Sequence, residues 1–291
     1  MTTGDATEIA GVIAKRRDIL AALRDGPVRK RTLVDELGVP RTTLDRSVRE
    51  LSDAGLAERA DGGVRATTLG RNALDAHDRY RARLDGLARG EPLFDALPEE
   101  TPLDGRFLAG ASISEPDPNV PDGVVDRLFE SVRNAEAVYG VAPAALTGHL
   151  DTFDDEATAG GAVPRMVVTP AVLDHLIDRR GERLAADLRE GAFEFFCAPL
   201  EITFGLWVAA HDDGDDEAGI VVYTDTGVGG VAVNDAAEAV AWARERFERA
   251  REDAERITPE AVCERRGASS SEDESAVTDS VGDAPDAGDV R

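Results

Sequence analysis

Four short segments carry residue types that bind ligands or catalyse reactions in other proteins. In the first, Gly227, Gly229 and Ala232 nearly fit the dinucleotide-binding pattern G-x-G-x-x-G/A. That pattern requires a helix to begin at the glycines. Here residues 231–233 have the composition of a strand, and the capping signal comes later, at Asn234. A hairpin is therefore the preferred interpretation.

The other three segments also favour simpler structures. Cys197 lies among aromatic residues in FEFFCAPL with no nearby histidine, which favours a small buried hydrophobic residue over a nucleophile or redox sensor. His211 begins HDDGDDE, whose oxygens lack the spacing of a calcium loop, so we interpret it as a solvated acidic loop. The acidic residues 154–156, which follow His149, have the same interpretation. No catalytic or metal site is predicted.

Lysine occurs only at Lys15 and Lys30, and the other 31 basic residues are arginines. The 261 residues after Lys30 therefore contain no phosphate-loop, Schiff-base or kinase lysine. The two cysteines, Cys197 and Cys263, form no CxxC, which excludes a zinc cluster and a disulfide framework. We accordingly expect neither enzyme activity nor a cofactor.

Arginine and threonine residues near the N-terminus indicate a different chemistry. Leu44, Val48 and Leu51 follow the i, i+4, i+7 spacing, which predicts a helix over 41–53 with one buried stripe. The opposite face is then free to contact guanine edges, phosphates and thymine methyl groups. The predicted DNA-binding residues, of which the last two flank the tip of a hairpin, are Pro40, Arg41, Thr42, Thr43, Asp45, Arg46, Arg49, Arg59 and Arg65.

The elements around this helix predict a winged helix-turn-helix. Residues 9–23 and 32–37 have helical apolar spacing, and Gly38 supplies a turn in which a left-handed residue is tolerated. Alternation around residues 61–63 predicts a two-stranded wing. An ordinary three-helix bundle with a solvated arginine face is the alternative.

A further helix is predicted over residues 70–89. Its apolar seam has the spacing of a short coiled coil and consists of Ala73, His77, Tyr80, Leu84 and Leu87. This seam, the C-terminal domain or both are expected to form a homodimer. Packing of the helix against another part of its own chain is the alternative.

The distribution of charge separates the two parts of the chain. The net charge is −25, from 58 acidic and 33 basic residues, a composition that keeps a protein hydrated in concentrated salt and predicts an extreme halophile. Residues 1–89 nevertheless carry a net charge of +3, whereas residues 90–291 carry −28. The segment that stays positive is expected to contact a polyanion.

The second part interleaves helices and strands and then becomes a series of strands, which predicts an α/β or α+β sandwich around one sheet. Residues 106–113 are expected to form its first strand, and residues 154–156 to lie in a loop. The predicted domains are a winged helix-turn-helix domain (1–69), a linker or dimerisation helix (70–89), a Pro-rich connector (90–121), an α/β effector or dimerisation domain (122–257) and a disordered acidic tail (267–291).

Residues 8–257 resemble the archaeal winged-helix regulators whose effector domain was first seen in methanogenesis regulators. The resemblance depends on Asp235, Glu238, Ala239, Trp242 and Ala243 at a helix start, on the aromatic strand 193–197, and on the strand around 204–207. It implies sequence-specific binding to double-stranded DNA, transcriptional control, and a C-terminal domain for ligand sensing or dimerisation. A related sandwich elsewhere bears a His-Lys-Asp phosphodiesterase motif, which the missing lysine excludes here.

The longest apolar run, Phe204 to Ala210, is far shorter than the roughly 18 residues of a membrane span. With no apolar leader, a cytoplasmic protein without membrane contact is expected. The predicted function is a DNA-binding transcription regulator with a possible small-molecule effector. A protein-binding module and a nucleic-acid-tethered enzyme are the alternatives.

Overall fold

A computed structural model describes residues 5–267 except residues 118, 213 and 226. The chain divides into two compact units, Met1–Asp85 and Gly86–Arg291. The boundary falls inside a long helix. The predicted acidic tail lies outside the described residues from residue 268 onward.

The first unit is a winged helix-turn-helix, as predicted. Its elements are α1 (Ala6–Ala22), α2 (Lys30–Leu37), α3 (Arg41–Asp53), β1 (Ala57–Ala60), β2 (Gly63–Ala66) and α4 (Thr68–Arg89), the last of which continues into the second unit. β1 and β2 form an antiparallel hairpin, and Val28 forms a bridge to Val64 beside it. Gly63 permits this close approach, because a Cβ there would lie 2.1 Å from the carbonyl oxygen of Val28.

One apolar cluster holds this unit together. Leu20, Leu33, Leu44 and Leu51 are fully buried, and they come from the three helices that precede the wing. Burying a leucine side chain stabilises the fold by about 1.5–3 kcal/mol. The core thereby fixes α3 by one face and leaves the opposite face exposed.

The second unit is an α/β sandwich around one mixed sheet. Its helices are α5 (Glu91–Asp95), α6 (Gly105–Leu108), α7 (Asp126–Val132), α8 (Leu150–Thr158), α9 (Pro170–Glu190) and α10 (Ala237–Glu252), with a 3-10 turn at Pro121–Val125 and further helical residues at 259–267. Its strands are β3 (Ser112–Ser114), β4 (Ala137–Ala142), β5 (Arg165–Val168), β6 (Glu194–Cys197), β7 (Gly205–Ala210), β8 (Glu217–Thr224), β9 (Gly227–Asn234) and β10 (Glu255–Arg256).

The strand order is β10-β6-β5-β4-β7-β8-β9-β3, with parallel pairing at β4–β5 and β5–β6. Side chains alternate between the two faces along each strand. On β7, Leu206 and Val208 join the apolar cluster that contains Trp242 of α10, whereas Trp207 and Ala209 join the cluster that contains α7. Helices therefore cover both faces of the sheet.

Two local expectations were wrong. Residues 106–113 were expected to be a strand, but α6 occupies Gly105–Leu108 because the Asp104 side chain accepts a hydrogen bond from the Arg106 amide, 2.8 Å away. Residues 154–156 were expected in a solvated loop, but they belong to α8, and Asp154 is only 4% exposed. Arg180 of α9 pairs with Asp154 and compensates its buried charge.

The proline-rich stretch 90–121 holds α5, α6 and β3. Leu93, Phe107 and Leu108 from this stretch are fully buried in the core of the second unit. Among the described residues, no helix is long and apolar enough to cross a membrane.

Candidate nucleic-acid interface

The turn between α2 and α3 sets the orientation of α3. Gly38 adopts the left-handed conformation (φ 62°), and its amide donates a hydrogen bond to Val34, which ends α2. Three residues later α3 begins, and it buries Leu44, Val48 and Leu51 as predicted. The turn thus presents the opposite face of α3 to solvent. The predicted residues on that face, all of them exposed, are Arg41, Thr42, Thr43, Arg46 and Arg49.

The N-terminal end of α3 is exposed as well. Pro40 precedes the helix with extended backbone (φ −59°, ψ 142°) and an exposed side chain. The first amides of a helix have no intrahelical acceptor and give this end a partial positive charge. Donors for a phosphate oxygen therefore lie beside the side chains of Arg41 and Thr42.

Asp45 is the one acidic residue among the predicted contacts, and it is neutralised by cations. Lys30, at the start of α2, donates a hydrogen bond to the Asp45 carboxylate, and the Nε of Arg41 lies 4.0 Å from it. The hydrogen bond from Lys30 is the main cause that lowers the pKa of Asp45, so the carboxylate stays ionised. Lys30 was missed in the sequence, although it is one of only two lysines.

A second ion-pair group connects α1 to α3. Glu50 accepts hydrogen bonds from the Nε of Arg16 at 2.8 Å and from the Nε of Arg46 at 2.9 Å. These two hydrogen bonds lower the pKa of Glu50 to about 2. The Arg46 side chain is nevertheless 77% exposed, so its guanidinium remains open to solvent. Arg16 was also missed, because 34 residues separate it from Glu50.

The two wing arginines project from opposite faces of the hairpin. Arg59 is paired with Val64 and Arg65 with Glu58, and cross-strand partners share one face of a ribbon. Arg65 lies 2.7 Å from the Glu58 carboxylate, whereas Arg59 is exposed. The wing therefore presents one arginine on each of its faces.

The predicted seam of α4 is exposed at its C-terminal end. Tyr80 is 59% exposed, Leu84 45% and Leu87 37%. Leu69, at 49% exposure, lies eleven residues before Tyr80 and so occupies the same side of the helix. We call Leu69, Tyr80, Leu84 and Leu87 the α4 stripe. An exposed apolar row of this kind is typical of a protein–protein contact.

The remaining segments singled out in the sequence have structural roles. Gly227 and Gly229 lie in β9, which pairs with β8 as a hairpin, as predicted. Helix α10 begins at Ala237, after Asn234, whose Oδ1 accepts a hydrogen bond from the Ala236 amide. Cys197 is half-buried, and burial raises the pKa of its thiol, which disfavours the reactive thiolate.

His211 forms hydrogen bonds with two other residues of the second unit. Its Nε2 lies 3.2 Å from the carbonyl oxygen of Ser131, and its amide donates to the Asp216 carboxylate at 3.2 Å. Within the described part of the chain, no group of three or more His, Cys, Asp or Glu residues has the arrangement of a metal site.

Comparisons with known proteins match each part of the chain separately. Residues 121–253 match the family model of the middle domain of the methanogenesis regulatory protein FilR1. Residues 5–89 match the model described as the HVO_A0261 N-terminal domain. The match over 121–253 confirms, for that region, the resemblance to methanogenesis regulators.

No curated protein matches the chain. A solved structure of TrmBL2, described as an archaeal chromatin protein with a novel mode of DNA binding, is 15% identical, with a TM-score of 0.38. That alignment covers 87% of this chain and 100% of the other. A TM-score this low does not establish a shared fold.

Proposed function

We propose that this chain is a transcription regulator that binds promoter DNA through α3 and the wing. The observation that carries the proposal is the exposed face of α3, where arginines and threonines stand next to the free helix N-terminus. In a helix-turn-helix this helix enters the major groove N-terminal end first. The proposed contacts are Pro40, Arg41, Thr42, Thr43, Asp45, Arg46, Arg49, Arg59 and Arg65.

The ion pairs of α3 supply a mechanism for positioning. Lys30 forms an ion pair with Asp45 at the surface, and Glu50 forms one with Arg46, which lies one helical turn before it on α3. A side chain already fixed by an ion pair loses less conformational entropy on binding. We infer that Asp45 and Glu50 orient the arginines, and that Arg46 exchanges its carboxylate for a base edge or phosphate.

The charge distribution supports DNA as the partner. The first 89 residues carry +3 in a chain whose net charge is −25. We propose that this is an acidic protein of a halophilic cytoplasm, in which the first 89 residues keep their positive net charge because they contact a polyanion.

We further propose that the regulator acts as a homodimer through the α4 stripe, with residues 122–257 as the effector or dimerisation domain. Tyr80 and Leu84 are large, apolar and exposed in the single chain. Pairing two chains about a two-fold axis buries these side chains and places two copies of α3 on successive half-sites.

Selection from a pool of random-sequence DNA duplexes tests the proposal. The full chain, immobilised in concentrated potassium chloride, is expected to enrich one motif with two-fold symmetry over successive rounds. Enrichment of no motif, with retention equal to that of bare resin, would favour the protein-binding alternative.

A further inference from the structure

The second unit contains a cavity of about 100 Å³ on the α7 side of the sheet. Its wall is made by side chains from α7, α8 and α9, by the segment before α8, and by the five strands β4 to β8. Most of these side chains are apolar, among them Phe129, Leu146, Met166 and Leu176. An apolar void of this size is comparable with, though smaller than, engineered cavities of about 150 Å³ that bind benzene.

Asp154 and Arg180 introduce a buried ion pair into this apolar wall. Their side chains are 5% and 14% exposed, and both terminal nitrogens of Arg180 donate hydrogen bonds to the Asp154 carboxylate. Arg180 sits at a kink in α9 (φ −151°, ψ 34°), immediately before Gly181. The pair is neutral as a whole, so it gives the cavity no net charge.

One donor of this pair remains unused. The Nε of Arg180 is buried and has no hydrogen-bond partner among the described residues. A buried N–H without an acceptor is unfavourable and is stabilised by any oxygen that reaches it. Arg180 lines the cavity, and a shift of its side chain toward the cavity would bring Nε to an oxygen on a bound molecule.

Tyr223 adds a hydroxyl to the same wall. Its oxygen lies 3.4 Å from the carbonyl oxygen of Ala144, a long hydrogen bond, and burial raises its pKa, which keeps it protonated. Gly205 makes the space for this hydroxyl, since a Cβ there would lie 2.6 Å from it. The cavity lining thus combines apolar side chains with the polar residues His149, Asp154, Arg180 and Tyr223.

We propose that this cavity is the effector site of the regulator, and that it binds a small uncharged molecule with an apolar body and one carbonyl or hydroxyl oxygen. The apolar wall selects the body, and the Nε of Arg180 donates to the oxygen. A carboxylate ligand is disfavoured because Asp154 already neutralises the positive charge of Arg180. As an effector site, the cavity depends on the proposed regulatory function.

The two tryptophans provide a probe with an internal control. Trp207 lines the cavity, whereas Trp242 belongs to the cluster on the other face of the sheet. The full chain is labelled with 5-fluorotryptophan, and the Trp242→Phe variant assigns its two fluorine resonances. Titration with cyclopentanone is expected to shift the Trp207 resonance and leave the Trp242 resonance in place. Cyclopentane and cyclopentanecarboxylate are expected to bind at least about tenfold more weakly.

Three further variants test whether the shift comes from binding in the cavity. Ala145→Leu places a larger side chain on the cavity wall and is expected to weaken cyclopentanone binding at least about tenfold, whereas Ala171→Leu, at an exposed position of α9, is expected to leave it unchanged. Arg180→Met removes the Nε donor and is expected to weaken cyclopentanone binding. If Arg180→Met does not fold, Ala145→Leu still tests whether the probe binds in the cavity.

Equal binding of cyclopentane and cyclopentanone would overturn the assignment, as would the absence of any Trp207 shift. DNA binding is measured in parallel on the same samples. If the chain binds DNA but no probe, the effector site is contradicted and the proposed function is not. If the chain binds cyclopentanone but no DNA, the cavity is still a binding site. The proposed function is then contradicted, and with it the role of the cavity as an effector site.

Discussion

The Nε of Arg46 lies 2.9 Å from Oε1 of Glu50, one helical turn further along α3. The same carboxylate also accepts a hydrogen bond from Arg16 of α1, so Glu50 connects the exposed arginine of α3 to another helix of the domain. Glu50 thus orients Arg46 in the free protein and also competes with DNA for it. Because Arg46 must leave Glu50 to reach DNA, we expect the competition to decide the effect of removing Glu50.

Replacement of Glu50 tests that competition. Glu50→Gln removes a negative charge near the proposed phosphate contacts and releases Arg46 from an exposed ion pair, which is a weak interaction in water. DNA affinity is therefore expected to rise about two- to fivefold by fluorescence anisotropy. Asp53→Asn, which removes the same charge from the far end of α3, serves as the control. An unchanged or lower affinity of Glu50→Gln relative to that control would contradict the competition.

The pKa of Glu50 gives a pH dependence of stability. Its pKa is lowered from 4.5 to about 2 in the folded protein, so the unfolded chain binds the proton more readily. The stabilisation is fully present above pH 4.5 and is lost as the pH falls toward 2. Urea unfolding from about pH 6 to about pH 3 is expected to show a smaller loss of unfolding free energy for Glu50→Gln than for the wild type.

Arg16→Gln provides a second variant for the same measurement, because it removes the first of the two hydrogen bonds that lower the pKa of Glu50. It is expected to reduce the acid sensitivity in the same direction. Identical acid sensitivity in the wild type and both variants would show that these hydrogen bonds do not hold the Glu50 carboxylate in solution.

The exposed apolar side chains of the α4 stripe predict that the protein is a dimer. Light scattering of the wild type in multimolar potassium chloride is expected to give a dimer of the 30.9 kDa chain. Tyr80→Glu with Leu84→Glu places charges on the stripe and is expected to give a monomer with weaker DNA binding. Ala82→Glu, on the opposite side of α4, should remain dimeric. A monomeric wild type at micromolar concentration would contradict the proposal.

The fold was predictable wherever local pattern and tertiary packing agree. The Gly38 turn and the buried stripe of Leu44, Val48 and Leu51 follow from local spacing, and the structure contains both. Residues 106–113 differ because the adjacent apolar residues Phe107 and Leu108 are compatible with a strand or a buried helix. The Asp104 cap decides between the two.

The cavity was beyond the reach of local pattern. Asp154 lies in an acidic segment that resembles a solvated loop, and its partner Arg180 comes 26 residues later, on another helix. Ala157, buried three residues after Asp154, was the available signal that the segment is helical and has an inner face. The ion pairs of Lys30 and Arg16 were missed for the same reason.

Salt dependence separates base-edge recognition from general phosphate attraction. A conventional basic protein shows a slope of about −0.9 in log affinity against log salt for each phosphate that it neutralises. A domain with a net charge of +3 is expected instead to show a shallow or positive slope at high potassium chloride, since contacts by Arg41, Thr42 and Arg46 and interface dehydration dominate. A steep negative slope continuing above about 1 M would contradict this.

The central claim, that α3 reads DNA, is tested most directly by charge reversal at Arg41 and Arg46. Fluorescence anisotropy measures binding of the wild type, of Arg41→Glu with Arg46→Glu, and of a control pair, Arg179→Glu with Arg249→Glu, to the selected duplex. Each lost arginine contact costs about 1–3 kcal/mol, so the α3 variant is expected to bind at least about thirtyfold more weakly. The control, with the same charge change in the second unit, is expected to bind like the wild type. Unchanged affinity of the α3 variant would contradict the account.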